Sequence, residues 1–534
     1  MQYKAILFDT RSIQSYIFAG NRLKTNIGAS YLVERVFDDV LLPVVRDVLG
    51  EDALDDRTWM DVEEPRWDEM GTAARVGYIG GGNALLIFRA ETADEALRRI
   101  VSTFTKRLLV RIPGLRTGAA IGELELAVDG GFTAGKDLTA LVHALKDGQN
   151  TVFPQVNIPS TGLTLDCRES DEEANAWDTD ERRFYAWEVE MKLRADRRDG
   201  KEAPAEAELM AKLSSVLPTD EQEDFLKGYA FPMEFSQLGQ NRTENDIAVV
   251  HIDGNNMGQK FQGCSTLTER KNLSRAIRRK TIAAFAALVQ EVIRNFDVYW
   301  NELSITNDEE GRRRLPIRPI VLGGDDMTFV CAAKFAAAYA KFIMERLKEA
   351  DIASCGGITI MNASYPFFRG YEMAEELCGA AKARMRESAR GAGQAEGSCW
   401  LDYAILHGEQ APTLAQFRAQ EYRGARGDLH FGPYRVDAGA ADEESLAALL
   451  AGVQGMRKLP RSKVKELRRV LAYGEHEQRQ FMAQLCHLEK SDPRMRLPDV
   501  PAWRTYEESL WANGRTPYMD AIELMDLVVA DGEV

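Results

Sequence analysis

The chain has 534 residues, with 67 basic and 83 acidic side chains and a net charge of −16. Apolar residues make up 45% and charged residues 28%, a globular balance that excludes a disordered chain and leaves room for roughly three or four domains. The negative sum excludes a basic nucleic-acid coat over the whole surface, though not a local basic groove.

The first predicted element is the strand AILFD (5–9), an apolar run that ends in Asp9. It begins at once, without the basic-then-apolar profile of a secretory signal. YIGGGNALLIF (78–88) then reads as a hairpin, two apolar runs around a glycine turn. A helix over 92–111, a glycine-led strand from Thr117 and a helix carrying Lys146 complete the first segment. Residues 151–244 differ in kind. A loop-rich stretch, FPQVNIPSTGLTLDC, leads into the acidic run RESDEEANAWDTDERR, which reads as a solvated face. Helical patterns interrupted by Pro204 and Pro218 follow.

The opening order then repeats. AVVHID (248–253) is a buried-strand run ending in Asp253, and IVLGGDDMTFV (320–330) is a second hairpin. A helix over 333–350, the strand CGGITIMNA from Cys355 and a helix carrying Lys382 come next. Asp9 lies 73 positions before Gly82, and Asp253 lies 72 before Asp325. Any one matched pair is compatible with two ordinary α/β segments; four in one order at nearly equal spacing imply a duplication. Each copy reads as β-α-α-β-β-α-β-α, an α+β unit with an antiparallel sheet and helices on one face. Beyond residue 407, ESLAALLAGVQGM, SKVKELRRVLAYG and HEQRQFMAQLCHLEK have helical periodicity, joined to the rest by RGARGDLHFGPYRV. The expected domains are 1–150, 151–244, 245–407 and a helical 408–534.

No stretch approaches the ~18 apolar residues of a membrane span. The seven cysteines form no C-x-x-C pair, which points to a reducing, cytoplasmic setting.

The chemistry concentrates in the second copy. In Gly323-Gly324-Asp325-Asp326, two adjacent carboxylates repel one another unless cations neutralise them. The competing reading is a solvent-facing turn, where Gly and Asp serve backbone geometry alone. Asp253 closes the neighbouring strand and can face that turn. Asp253, Asp325 and Asp326 are therefore the candidate catalytic residues and the ligands of two Mg²⁺ or Mn²⁺ ions. Such ions take oxygen donors and keep positions for water and phosphate. Placed about 3.5–4 Å apart, they support attack by a 3′-hydroxyl and release of pyrophosphate. The turn Asn255-Asn256-Met257-Gly258 can offer backbone N–H groups to phosphate oxygens, and Lys382 can reach a triphosphate. In the first copy Gly82 and Asn83 stand where the two acids would be, so that copy reads as a non-catalytic partner.

The motifs FDTRSIQSYIF (8–18), IGASYLVE (27–34), HIDGNNMGQKF (251–261), VLGGDDMTFV (321–330), GGITIMN (356–362), AAKARMR (380–386), GPYRV (432–436) and LPRSKVKEL (459–467) span nearly the whole chain. Together they resemble the large palm-domain subunit of type III CRISPR effector complexes, the polymerase/cyclase that makes cyclic oligoadenylates. The resemblance implies two ferredoxin-like palm domains, the second metal-binding, with ATP joined 3′→5′ in a pocket between them. It implies metal binding by Asp253, Asp325 and Asp326, triphosphate contacts from Asn255–Gly258, Gly323, Gly324 and Lys382, and a partner wall that includes Gln14 and Ser30. Guide RNA, target RNA and small effector subunits are the partners it implies. The sequence departs from the family in two respects. It starts at the first palm without an HD-type nuclease domain, so DNA cleavage is not expected, and Cys167 stands alone, so no structural zinc is expected. A reduced, stand-alone relative is a further reading. So are a non-catalytic RNA- and protein-binding scaffold, to which helices such as RSKVKELRRV are suited, and a GTP-using cyclase of the GGDEF kind.

Overall fold

In the computed structural model of the protein the N-terminal apolar run is strand β1 (Gln2–Arg11), with Ala5, Ile6, Leu7 and Phe8 all buried. The structure describes residues 1–56, 67, 69–132, 138–151, 162–170, 172–197, 203–222, 224–239, 245–392, 397–408 and 413–529. Of the loop-rich stretch expected at 153–167, residues 153–161 lie outside them. The chain parts into two compact units. The first comprises Met1–Val216, Asn256–Ile282 and Ile320–Asp325; the second comprises Leu217–Asn255, Ala283–Pro319 and Asp326–Val534.

In the first unit β1 joins β2 (Leu54–Asp55), β3 (Ala74–Gly80), β4 (Asn83–Arg89) and β5 (Arg116–Glu125) in the sheet order β2-β3-β4-β1-β5. β1 runs antiparallel to β4 and β5, whereas β2 and β3 are parallel. Between β1 and β2 lie α1 (Ile13–Phe18) and α2 (Leu23–Val36); α3 (Asp94–Arg111) precedes β5 and α4 (Leu138–Thr151) follows it. Helices cover both faces of this sheet, not one as expected. Leu7, Leu85 and Ala120 pack with Leu138, Leu141 and Leu145 of α4. On the other face Phe8 meets Phe104 of α3 edge-on, with centroids 5.0 Å apart. The cause is legible in β1, which buries consecutive residues, so each face needs its own cover.

Two helices follow, α5 (Trp187–Ala195) and α6 (Pro204–Ser215). Pro204 opens α6 at a position that needs no N–H, so it starts a helix instead of interrupting one. Lys192 of α5 is buried, donates to the Tyr16 carbonyl at 2.9 Å and lies over the Tyr16 ring, which fastens α5 to α1.

The second sheet has the order β7-β8-β6-β9-β10-β11, built from β6 (Asp246–Gly254), β7 (Ile317–Gly323), β8 (Asp326–Ala332), β9 (Ser354–Asn362), β10 (Trp400–Leu406) and β11 (Tyr434–Arg435). After β6 come α7 (Met257–Gln262) and α8 (Leu267–Arg294); α9 (Ala336–Glu349) precedes β9. β6 is antiparallel to β8 and β9, and α10 (Phe367–Ala392) crosses from β9 to the parallel strand β10. β11 comes from the segment expected only to join the helical C-terminal part, and it pairs antiparallel with β10.

α11 (Leu446–Lys458), α12 (Arg461–Leu471), α13 (Glu475–Glu489) and α14 (Tyr518–Leu524) confirm the helical pattern of the C-terminal part. Leu446, Leu449 and Leu524 meet Ile358, Leu401 and Tyr403 of the sheet around an apolar gap of about 20 Å³. Beside it, His430 is buried between Asp402 of β10, at 2.9 Å, and Asp520 of α14, at 3.2 Å. No described helix is long and apolar enough to cross a membrane, and the seven cysteines are unpaired.

Candidate active site

The register of the two sheets carries the duplication into three dimensions. Asp9 at the end of β1 stands opposite Asn83 of β4; Asp253 near the end of β6 stands opposite Asp326 of β8. On its other side Asp9 faces Gly118 and Asp253 faces Cys355. Opposed residues on antiparallel strands point their side chains to one face, so the second sheet sets two carboxylates side by side where the first sets one.

The local sequence dictates this placement. β7 and β8 are joined through Gly324, whose φ of 62° is readily reached by glycine, and Asp325 follows it in the turn. Asp326 is thereby the first residue of β8. Gly357 of β9 admits the backbone of α10, since a Cβ there would lie 2.7 Å from the Cys378 amide nitrogen. The face of α10 that results carries Tyr371, Cys378 and Lys382, at helical spacings of seven and four. Tyr371 stands edge-on to His251 with centroids 5.7 Å apart, Cys378 donates to the Cys355 carbonyl at 3.4 Å, and Lys382 donates to Asp253. Burial works against the Lys382 charge, but Asp253 outweighs it and raises the ammonium's pKa.

The first unit shows which position of the last helix is equivalent. Gln149 of α4 donates to Asp9 at 2.9 Å, while Lys146 is exposed. The sequence pairing of Lys146 with Lys382 is therefore displaced by nearly one turn.

The other expected site residues fall as follows. Asn255 is buried and spent on holding its turn: its N–H donates to the Ala353 carbonyl at 2.8 Å and its side chain to the Ser398 carbonyl at 3.2 Å. Asn256, with φ of 58°, begins α7; Met257 is buried and Gly258 exposed. Gln14 lies on α1 and Ser30 on α2, both half-buried. Gly323 ends β7 and is exposed.

Among the described residues no three His, Cys, Asp or Glu side chains are close enough to hold a metal ion, so the expected trio is not gathered into one ligand set. The ammonium of Lys382 ion-pairs with Asp253 and offsets part of its repulsion from Asp326. The pair that is assembled, Asp253 with Asp326, consists of hard oxygen donors, each partly exposed, and fits the preference of Mg²⁺ or Mn²⁺. Sequence reasoning passed over His251 and Tyr371. The signal for His251 was a polar residue inside the buried run AVVHID, two positions before Asp253 and so on the same face.

Residues 246–390 match the family model described as Cas10/Cmr2, second palm domain. A search of curated proteins finds no match. Among solved structures, the Csm1-Csm4 cassette in complex with AMPPNP matches with a TM-score of 0.50 and 13% identity, over 98% of this chain and 69% of that chain. The same cassette in complex with cA4 gives 0.48 and 13%, over 98% and 70%, and its apo form gives 0.47 and 12%, over 98% and 70%. At such identity the likeness is one of fold.

Proposed function

We propose, from the Cas10-like palm that residues 246–390 form, that this protein joins ATP molecules 3′→5′ into cyclic oligoadenylate-type messengers for a type III CRISPR-like antiviral defence. The observation that carries the reading is the direct opposition of Asp253 and Asp326 on adjacent strands, with Lys382 ion-paired to the first. The 3′-oxygen of one nucleotide attacks the α-phosphorus of the next, the bond to the β-phosphate oxygen breaks, and pyrophosphate leaves. Asp253 and Asp326 hold the divalent ions, with Asp325 added from the sequence pattern. Those ions, when bound, acidify the attacking hydroxyl and offset charge on the pyrophosphate. Lys382 tempers the repulsion between the two acids and orients Asp253. Asn255–Gly258, Gly323, Gly324, Gln14 and Ser30 enter as nucleotide contacts from the sequence pattern alone.

The choice of adenine is supported by the AMPPNP complex of the Csm1-Csm4 cassette, and a Csm4-like subunit is the partner that cassette points to. The test is incubation with mixed nucleoside triphosphates and Mn²⁺, followed by mass spectrometry of the products. Adenylate-only rings from the wild type and none from Asp253→Asn or Asp326→Asn are expected. Equal product from wild type and variants removes the site; guanylate products remove the substrate assignment.

A further inference from the structure

A histidine in the middle of a buried strand demands a physical reason. In AVVHID the residues on either side of His251, Val250 and Ile252, are apolar, and an aliphatic side chain would fill the place without a polar group to satisfy. His251 is 5% exposed. It stands opposite Thr328 just as Asp253 stands opposite Asp326, and with the Ile252–Met327 rung between them the two pairs share one face of the β6–β8 ladder. Its Nδ1 lies 3.0 Å from the Thr328 hydroxyl and 3.4 Å from Oδ1 of Asp326. Tyr371 closes the ring's other side.

We propose that His251 is a positioning residue that holds one oxygen of the Asp326 carboxylate, turning the other toward the divalent ion. The proposal rests on the ATP-joining reading above. The hydrogen bond of Nδ1 is to the Thr328 oxygen, and the Asp326 carboxylate, which only accepts, lies 3.4 Å from the same nitrogen, where an N–H on Nδ1 attracts it. Asp326 sits beside Asp253, and two like charges on neighbouring strands swing apart unless a donor fixes them. A buried imidazole wedged between Thr328 and Tyr371 is such a donor, and a ligand so fixed needs no reordering when the ion and nucleotide arrive. His251 itself touches neither nucleotide nor ion.

The test uses the full chain as wild type, His251→Phe, His251→Asn, Thr328→Val and Asp326→Asn. Binding of Mn²⁺ alone is followed by the electron-paramagnetic signal of the free ion, with ATP turnover and the thermal midpoint measured beside it. His251→Phe keeps a ring but loses the donor; it is expected to raise half-saturating Mn²⁺ roughly tenfold, the worth of one hydrogen bond to a charged group, and to lower kcat with KM for ATP unchanged. His251→Asn, which restores a donor near Nδ1, is expected to recover most of both. Thr328→Val leaves the N–H wholly to Asp326 and is expected to stay within about twofold of wild type in Mn²⁺ binding. Unchanged Mn²⁺ binding in His251→Phe overturns the proposal, as does equal loss in His251→Asn or Thr328→Val, which would mark the pair as core packing. A wild type that binds Mn²⁺ no better than Asp326→Asn and makes no product overturns the ATP-joining reading itself.

Discussion

Three side chains carry the proposed chemistry of the second sheet. Asp253 and Asp326 share one face because they are register partners, and Lys382 reaches Asp253 from the overlying helix. Replacing either acid by its amide keeps shape and removes charge. Asp253→Asn and Asp326→Asn should each lower ATP turnover roughly a hundredfold or more, with the circular dichroism spectrum unchanged. Activity within threefold of wild type in either variant would sink the assignment. Lys382→Met leaves Asp253 without its counter-charge and should weaken turnover while leaving Mn²⁺ binding intact or tighter, since an ammonium no longer competes for the carboxylate. Weaker Mn²⁺ binding there would mean that the lysine aids the ion. At this scale the sequence was informative. Asp253 and the Gly-Gly-Asp-Asp turn stand out by composition, whereas His251, Gln149 and Asn255 acquire meaning only from their partners.

At the scale of elements the site depends on how closely α10 approaches β9. Gly357 permits that approach, because any Cβ collides with the backbone of the helix at Ala374 and Cys378. Gly357→Ala should therefore destabilise the protein by about 1–3 kcal/mol, as overpacking of a tight contact does, and displace Tyr371 and Lys382 together. A denaturant titration showing no loss, with full ATP turnover, would contradict this account. The two hairpins, the strands that flank them and the helices after them were legible from apolar runs and glycine turns. The strands β10 and β11 were not read from the sequence: β10 buries all seven of its residues and so shows no alternation, and the two residues of β11 are too few for a period.

At the scale of the whole molecule, the buried charges of the second unit bind its sheet to its C-terminal helices. Burial works against the charge on His430, but Asp520 and Asp402 outweigh it and push its pKa up to about 9, from an ordinary 6.5. A group raised in this way stabilises the fold fully below its unfolded value and loses that contribution as pH climbs through the folded one. Burial likewise opposes ionisation of Asp402 and Asp520, yet Arg418 and His430 hold the first low and His430 the second, so their share is kept above the ordinary carboxylate range and lost in acid. The thermal midpoint should fall by about 3 °C or more between pH 6.5 and pH 9, and His430→Gln should flatten that slope. An equal slope in the variant would place the titration elsewhere. Removing residues 446–529 would expose Leu401, Tyr403 and Tyr434, and the shortened chain is expected to aggregate on expression.

The sequence alone determined the duplication, the strand ends that carry Asp9 and Asp253, and the loss of the second acid from the first copy, since these follow from order, periodicity and residue type. Tertiary structure decided the rest: that helices cover both faces of the first sheet, that Gln149 and not Lys146 matches Lys382, and that Asp253 pairs with an ammonium while Asp326 stands beside His251. Each of those depends on residues far apart in the chain meeting at a few ångströms, and a local pattern carries no record of which remote side chain arrives there.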